Sequence, residues 1–119
     1  MSFKFEKLEA WQKAIDFCDK IIAFADGLPQ RYQFSLGEQL RRAALSVPTN
    51  LAEGSGRDNP KESRYFYEIA KGSVYEVVSL LVVCGKRNTL SREDYRLFYD
   101  DADSLAAIIH GLARAQKNR

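Results

Sequence analysis

The apolar residues of the chain recur every three or four positions, which is the spacing of one face of an α-helix and not of a strand. Turn signals interrupt this pattern, most clearly around Gly27 and Gly54. The pattern predicts four helices, at about residues 7–26, 36–54, 60–87 and 92–115. Amphipathic helices with short connections are typical of an all-α fold, an antiparallel up-down four-helix bundle, here one domain over residues 1–119.

Three of the helices begin with capping signals. Ser35 and Glu38 have the spacing of a capping box, in which a hydroxyl and a carboxylate satisfy backbone N–H groups. Asn59 is an N-cap residue followed by Pro60 at the first helical position, and Ser91 precedes the fourth helix as an N-cap. These signals predict where helices 2, 3 and 4 begin.

The second helix carries a proline in its interior. Pro48 cannot donate to the Ala44 carbonyl and its ring displaces that group, so the helix is expected to kink near Val47. One flank of the helix, opposite its apolar stripe, is rich in short hydrogen-bonding side chains: Gln39, Arg42, Ser46, Thr49, Asn50 and Glu53. Two interpretations stay open for this polar stripe: an interface or structural kink, and a ligand site.

Two helices have more apolar surface than a monomeric bundle needs. Helix 1 is apolar over more than half of its circumference, because Phe17 and Phe24 extend its first apolar stripe. Helix 3 carries Tyr75, Val78 and Val82 outside its own core stripe. Extra apolar faces of this kind indicate subunit contacts, so the sequence predicts a homo-oligomer.

Basic residues concentrate in the middle third of a chain whose net charge of +2 is too balanced to indicate nucleic-acid binding by itself. The candidates for phosphate contacts are Arg41, Arg42, Arg57, Lys61, Arg64 and Lys71. Tyr67 and Tyr75 lie near Lys71 on the predicted helix and are candidates for stacking on bases. Salt bridges along the helix, such as Arg64 with Glu68, are the alternative explanation of the same pattern.

The sequence holds no recognisable catalytic or metal-binding set. His110 is the only histidine, and Glu76 is expected to form a structural ion pair with Arg41 or Arg42. No Walker loop, GxGxxG, HExxH or GxSxG motif occurs, and the Arg-x4-6-His motif of some helical-bundle ribonucleases is absent. We therefore expect a non-enzymatic protein with no cofactor and no metal.

Cysteine usage and hydropathy set the expected compartment. Cys18 and Cys84 fall on apolar helix faces and match no metal-ligand or redox spacing, so two reduced core thiols are expected. No apolar run approaches the length of a membrane span, and the first residues lack the apolar region of a signal peptide. The expected location is the cytoplasm, without a membrane partner.

Three runs of residues carry a family resemblance: Phe5-x2-Leu8-x2-Trp11-x2-Ala14; Gln39-Leu-Arg-Arg-Ala43 followed by Ser46-Val-Pro-x-Asn50-Leu-Ala-Glu-Gly54; and Ile69-Ala-x-Gly-Ser73-x2-Glu76. Together they span most of the chain. They resemble the four-helix-bundle proteins called 23S rRNA intervening-sequence proteins, after reading frames found in inserts within large-subunit rRNA genes. The resemblance implies a four-helix bundle that assembles as a homopentamer.

A similar bundle serves as the accessory protein of diversity-generating retroelements, where it binds nucleic acid and a reverse transcriptase through a basic surface. Carried over to this sequence, the resemblance points at the same six basic residues, Arg41, Arg42, Arg57, Lys61, Arg64 and Lys71. The partners it implies are copies of the chain itself, RNA or another nucleic acid, and a protein such as a reverse transcriptase.

Two functions stand as hypotheses. In the first, a homo-oligomeric module binds RNA or another nucleic acid, and Arg42 and Arg57 contact phosphates without reading sequence. In the alternative, the bundle is a protein-interaction scaffold that docks a partner on the polar stripe of helix 2. The residues expected in structural or interface roles are Ser46, Pro48, Asn50, Glu53, Tyr75, Glu76, Val78 and Val82.

Overall fold

The computed structural model describes residues 2–116, which form helices and turns and contain no strand. The four long helices are α1 (Glu9–Asp26), α2 (Glu38–Ser55), α3 (Pro60–Lys86) and α4 (Arg92–Ala115). A 3₁₀ turn at Lys4–Lys7 precedes α1, and two further turns, Gln30–Tyr32 and the π-helical Gln33–Gly37, lie between α1 and α2. The predicted all-α fold and its four helices are confirmed.

Consecutive helices pack along one another, which gives the up-down order of an antiparallel four-helix bundle. The α1–α4 contact is less extensive than the three contacts between neighbours in sequence. Every long helix contributes fully buried side chains to one core, among them Ile21, Leu40, Leu51, Leu81, Leu105 and Ile109. Within residues 2–116, no helix combines the length and the apolar character that crossing a bilayer requires.

Two of the three helix-start predictions are confirmed. The Asn59 side chain accepts a hydrogen bond of 2.8 Å from the Lys61 backbone N–H, and Ser91 accepts one of 3.1 Å from the backbone of α4. The capping box at Ser35 and Glu38 is wrong. Residues 33–37 already form a helical turn, so the first N–H groups of α2 have carbonyl partners upstream and need no side-chain cap.

The α2 helix continues without interruption through Pro48, whose ring is buried. The Thr49 hydroxyl donates to the Leu45 carbonyl at 2.8 Å, and the Asn50 amide donates to the Ser46 carbonyl at 2.8 Å and to its hydroxyl at 2.9 Å. These side chains therefore bond to the helix backbone around the proline. The kink at Val47 stays a prediction.

The buried face of α3 includes Tyr67. Tyr67, predicted to be a stacking aromatic beside Lys71, is only 3% exposed, so that prediction is wrong. Its ring packs over Gly54 of α2, where a Cβ atom would come within 2.6 Å of the ring. Because Gly54 has no side chain, it leaves the space that a large aromatic residue fills between the two helices.

The two cysteines are free and buried in the core, as predicted. Burial raises the pKa of the Cys18 thiol, and the nearby Asp19 carboxylate raises it further. Burial also raises the pKa of the Cys84 thiol, against a smaller opposite effect of a hydrogen bond with Thr89. Both thiols are therefore held in the protonated and less reactive form.

Candidate nucleic-acid interface

The six predicted phosphate contacts do not form one patch. Arg41 lies in the first turn of α2 and Arg57 just beyond its last, sixteen residues apart, which is about 24 Å at the rise of an α-helix. Arg57 and Lys61 lie together at the α2–α3 turn, whereas Lys71 is farther along α3. Each residue therefore has a different environment.

Arg41 is a structural residue of the α1–α2 loop. Its guanidinium pairs with the Asp26 carboxylate at 3.0 Å and donates to the Gln33 side chain at 3.2 Å and backbone carbonyl at 3.0 Å. The Gln33 amide in turn donates to the carbonyls of Ala25 at 3.0 Å and Leu28 at 2.8 Å. This network ties the loop to the end of α1.

Arg42, one position farther, has an exposed side chain and lines a groove between α2 and α3 together with Gln39, Ser46, Ser73 and Glu76. The hydroxyls of Ser46 and Ser73 are hydrogen-bonded across this groove at 2.7 Å. Three residues of the polar stripe, Gln39, Arg42 and Ser46, therefore line the groove between α2 and α3.

The predicted ion pair of Glu76 with Arg41 or Arg42 is wrong. The Glu76 side chain is exposed and makes no ion pair with any residue in the described part of the chain. The Arg41 guanidinium is instead held by Asp26 on the other side of α2. Glu76 and Arg42 therefore line the same groove, and neither forms an ion pair among residues 2–116.

Lys71 is half-buried between α3 and α4. Its ammonium lies 3.3 Å from the Glu68 carboxylate and 3.2 Å from Nδ1 of His110. The expected Arg64–Glu68 pair is absent among residues 2–116, because Glu68 pairs one turn farther along with Lys71. Over the same residues, no group of histidine, cysteine and acidic side chains has the arrangement of a metal site.

The remaining basic residues lie with two aromatic rings at the α2–α3 turn. We call Arg57, Lys61, Tyr65 and Phe66 the turn-end cluster, since all four line one depression. The Arg57 guanidinium pairs with Glu53 at 2.9 Å and lies 4.7 Å above the Phe66 ring. Tyr65 is 63% exposed and meets Phe66 edge-on, with ring centroids 5.4 Å apart.

The turn-end cluster also lies at the N-terminus of α3, where the helix dipole favours negative ligands. Arg64, half-buried on the next turn, makes no ion pair within the described residues. The acidic Glu62 lines the same depression and Asp58 is adjacent to Arg57 in sequence, so both reduce the positive potential. The sequence pattern did not assign Tyr65 and Phe66 to this site, although Tyr65 lies four residues after Lys61 and therefore on the same side of the helix.

The bundle has an exposed apolar surface between α3 and α4, which we call the α3/α4 face. Tyr75 and Val82 are 60% and 44% exposed, and half-buried Val78 lies between them on α3. Tyr99 and Ala106 of α4 line the same groove. The three α3 residues are those that the sequence placed outside the core.

A second apolar surface lies on α1 and α2 and is called here the α1/α2 face. It contains Ile15, which is 40% exposed, Leu45, which is 49% exposed, and the half-buried Ile22. Ile22 is one helical turn before Asp26, and Leu45 is one turn after Arg41. Because Asp26 and Arg41 pair with each other, these residues lie along the α1–α2 seam.

The α4 side of α1 is occupied by other residues. Lys20 pairs with Asp101 at 3.2 Å, and Phe24 contacts Phe98 with ring centroids 5.6 Å apart. In a bundle with the order α1, α2, α3, α4, the α1/α2 face and the α3/α4 face lie on opposite sides. The two faces contain different residues, so they are not copies of one surface.

The model of the 23S rRNA-intervening sequence protein family matches residues 6–111, which is more than half of the chain. A comparison with curated proteins finds no match. The match covers all four helices except the last turn of α4. The chain therefore belongs to the 23S rRNA-intervening sequence protein family.

Proposed function

We propose that this protein is a non-catalytic homo-oligomer, a pentameric ring, that binds RNA or another single-stranded nucleic acid through the turn-end cluster. The observation that carries the nucleic-acid part is the exposed Tyr65 ring beside Arg57 and Lys61 at the start of a long helix. The observation that supports the ring is the pair of unlike apolar faces on opposite sides of the bundle.

Two unlike faces favour a head-to-tail assembly. A two-fold dimer joins one surface to its own copy, so it would cover one apolar face and leave the other in water. When the α1/α2 face of one copy meets the α3/α4 face of the next, both faces are covered in every copy. Such contacts close into a ring if the rotation between neighbours allows it.

The turn-end cluster has the two components of a single-strand binding surface. Positive groups follow the phosphate backbone, and exposed aromatic rings stack on bases of any sequence. A ring assembly repeats the cluster once per subunit on the same rim, so its weak individual potential is multiplied. The proposed contacts position the strand without reading its sequence.

The ring is tested by blocking one face at a time. Tyr75→Glu places a charge on the α3/α4 face, Ile15→Glu places one on the α1/α2 face, and Ala107→Glu on exposed α4 is the matched control. Light scattering at micromolar concentration should give five times 13.6 kDa for the wild type and the control, and a monomer for either face variant.

Mixing the two face variants distinguishes a ring from a two-fold dimer. Each variant keeps the face that the other has lost, so a head-to-tail assembly predicts a heterodimer and nothing larger. If Ile15→Glu alone remains a dimer, the contact is two-fold through the α3/α4 face and the ring is refuted. A wild type that stays monomeric at this concentration also refutes it.

Nucleic-acid binding is tested by salt titration with a short single-stranded RNA. Lys61→Gln should flatten the dependence of log affinity on log salt by roughly 0.7 if one phosphate contact is lost. Tyr65→Ala should weaken binding by about 1–3 kcal/mol without changing that slope, because stacking carries no counterion release. Absence of binding at low salt contradicts the proposal.

A second candidate function is the docking of a protein partner in the groove between α2 and α3. The observation that favours it is the pair of charges, Arg42 and Glu76, that line the groove without a partner in the described chain. Arg42→Ala with Glu76→Gln should abolish capture of such a partner and leave RNA affinity unchanged. Equal loss of RNA affinity would instead assign the groove to nucleic acid.

A further inference from the structure

A second cluster of cations and an aromatic ring lies at the opposite end of the bundle, and none of its members belongs to the six residues considered above. We call Arg31, Tyr32 and Arg87 the loop-end cluster. The Arg87 Nε donates to the Tyr32 hydroxyl at 3.0 Å, and the Arg31 guanidinium lies 4.8 Å from the centre of the same ring. Arg31 and Arg87, which are 56 positions apart in sequence, therefore both contact the Tyr32 side chain.

The loop-end cluster has no acidic partner within residues 2–116. The ion pairs of the described chain involve Lys20, Arg41, Arg57 and Lys71, and neither Arg31 nor Arg87 is among them. Two guanidinium groups are thus held near each other without a carboxylate to neutralise them. Such an arrangement leaves several N–H donors free for an oxyanion.

The backbone on both sides of the cluster is fixed. Tyr32 donates its backbone N–H to the Pro29 carbonyl at 2.9 Å, and the next residue, Gln33, is tied to α1 and to Arg41. Arg87 donates its N–H to the Val83 carbonyl at 2.9 Å at the end of α3. A ligand that binds here therefore does not have to order the chain first.

The left-handed conformation of Asn88 ends α3 directly after this arginine. Its φ of 60° is one that asparagine tolerates better than most residues, and it turns the chain away from the helix axis. The following Thr89 N–H donates to the Cys84 carbonyl at 3.0 Å. Arg87 is thus held at the helix terminus, where its side chain reaches Tyr32.

An exposed aromatic ring lies two residues beyond Tyr32. Phe34 is 83% exposed, the highest value among the large apolar residues of the described chain. Its π-helical turn places it at the same end of the bundle as the arginines. An exposed ring at the same end as guanidinium groups without an ion pair in the described chain is the combination that accommodates a base and its phosphate.

We infer that the loop-end cluster binds the phosphate of a nucleotide, either free or within a single strand of nucleic acid, while Phe34 stacks on its base. Arg31 and Arg87 donate to the phosphate oxygens, and the Tyr32 hydroxyl, held by Arg87, keeps the two guanidinium groups near each other. This inference does not depend on the turn-end cluster, which lies at the other end of the bundle.

The experiment measures binding of uridine monophosphate, inorganic phosphate and a short fluorescent oligouridylate to the full-length protein. The test variant is Arg31→Gln with Arg87→Gln, and Arg96→Gln with Arg114→Gln is the control that removes two exposed arginines elsewhere. Arg31→Lys with Arg87→Lys keeps the charge, and thermal melting verifies that each variant folds. Each is also made in a Lys61→Gln, Tyr65→Ala background, which removes one cation and the exposed ring of the turn-end cluster.

We expect the test variant to lose about tenfold or more in affinity for the mononucleotide, and the lysine variant to lose less. Phe34→Ala should weaken uridine monophosphate binding and leave inorganic phosphate binding unchanged. Persistence of this pattern in the background that lacks Lys61 and Tyr65 supports the loop-end site even if the proposed function fails.

Two results distinguish the sources of the phosphate, and others overturn the inference. Competition by the oligouridylate indicates a strand, whereas binding of the mononucleotide alone indicates a free nucleotide, and both support the site. Equal affinity of the test variant and the arginine control overturns it. So does a site that takes inorganic phosphate as well as uridine monophosphate and is insensitive to Phe34→Ala.

Discussion

The two ends of the bundle are built differently. At the α2–α3 turn, Tyr67 fills the space over Gly54, and the Arg57 guanidinium is paired with Glu53. At the α1–α2 loop, hydrogen bonds from Gln33 tie the loop to the end of α1, and the guanidinium groups of Arg31 and Arg87 meet no carboxylate within the described residues. The two ends therefore differ in the pairing of their cluster arginines, because Arg57 has an acidic partner and Arg31 and Arg87 have none among residues 2–116.

This difference separates the roles of arginines that look alike in the sequence. When an arginine is paired with an acid, the carboxylate partly neutralises the guanidinium charge and occupies some of its N–H donors. An arginine beside a phenol retains its positive charge and most of its N–H donors for a ligand. The number of basic residues at an end is therefore a poorer guide to anion binding than the partners of each one.

The largest expected effect tests the packing of the α2–α3 turn. Gly54→Ala places a Cβ atom within 2.6 Å of the Tyr67 ring and 3.0 Å of the Ser63 carbonyl oxygen, so it should lower the free energy of unfolding by about 1–3 kcal/mol. Chemical denaturation measures this change. Gly72→Ala, which meets nothing within 4 Å in the interior of α3, should raise stability by about 0.5–1 kcal/mol. A tolerated Gly54→Ala would show that this end is not held by close packing.

The next effect tests the hydrogen-bond network of the α1–α2 loop. Arg41→Ala removes the guanidinium that donates to Oε1 of Gln33 and pairs with the Asp26 carboxylate, so the free energy of unfolding should fall by about 1–2 kcal/mol. The adjacent and exposed Arg42 is the matched control, since Arg42→Ala should change stability by less than about 0.5 kcal/mol. Equal losses in the two variants would contradict a structural role that is specific to Arg41.

The smallest effect concerns the pH titration of Tyr32. Hydrogen bonding by Arg87, then by Arg31, lowers the pKa of the phenol from its ordinary value of 10.0. Between the folded pKa and that value, the folded chain releases a proton that the unfolded chain keeps. The free energy of unfolding therefore rises with pH in that window, and this contribution is lost as the pH falls through the folded pKa.

Phenolate absorbance measures this titration, as the difference between the wild type and Tyr32→Phe. Arg87→Gln should move the midpoint of the difference curve back toward higher pH, whereas Arg114→Gln should leave it in place. A midpoint that is insensitive to Arg87→Gln would show that the contact between Arg87 and Tyr32 does not persist in solution.

The fold could be predicted from the sequence because its signals are local. Apolar spacing defines each helix, and Asn59 and Ser91 define the starts of two of them through contacts with residues only two or three positions away. The capping box at Ser35 failed for the opposite reason. A preceding helical turn satisfied the same backbone groups, and no local sequence pattern predicted that turn.

The sites were less predictable, because they depend on contacts between distant positions. Arg41 and Arg42 are indistinguishable in the sequence, and only the fold reveals that Asp26 and Gln33 hold the first. The burial of Tyr67 depends on the absence of a side chain at Gly54 in another helix. The approach of Arg87 to Tyr32 likewise needs the whole bundle.

The two buried thiols can report local opening of the helices that carry them. Cys18 lies on α1 and Cys84 near the end of α3, and burial keeps both thiols protonated and away from solvent. An alkylating reagent can modify each sulfur only when its helix separates from the core. With one cysteine replaced at a time, the labelling rates would compare how often the first and third helices detach.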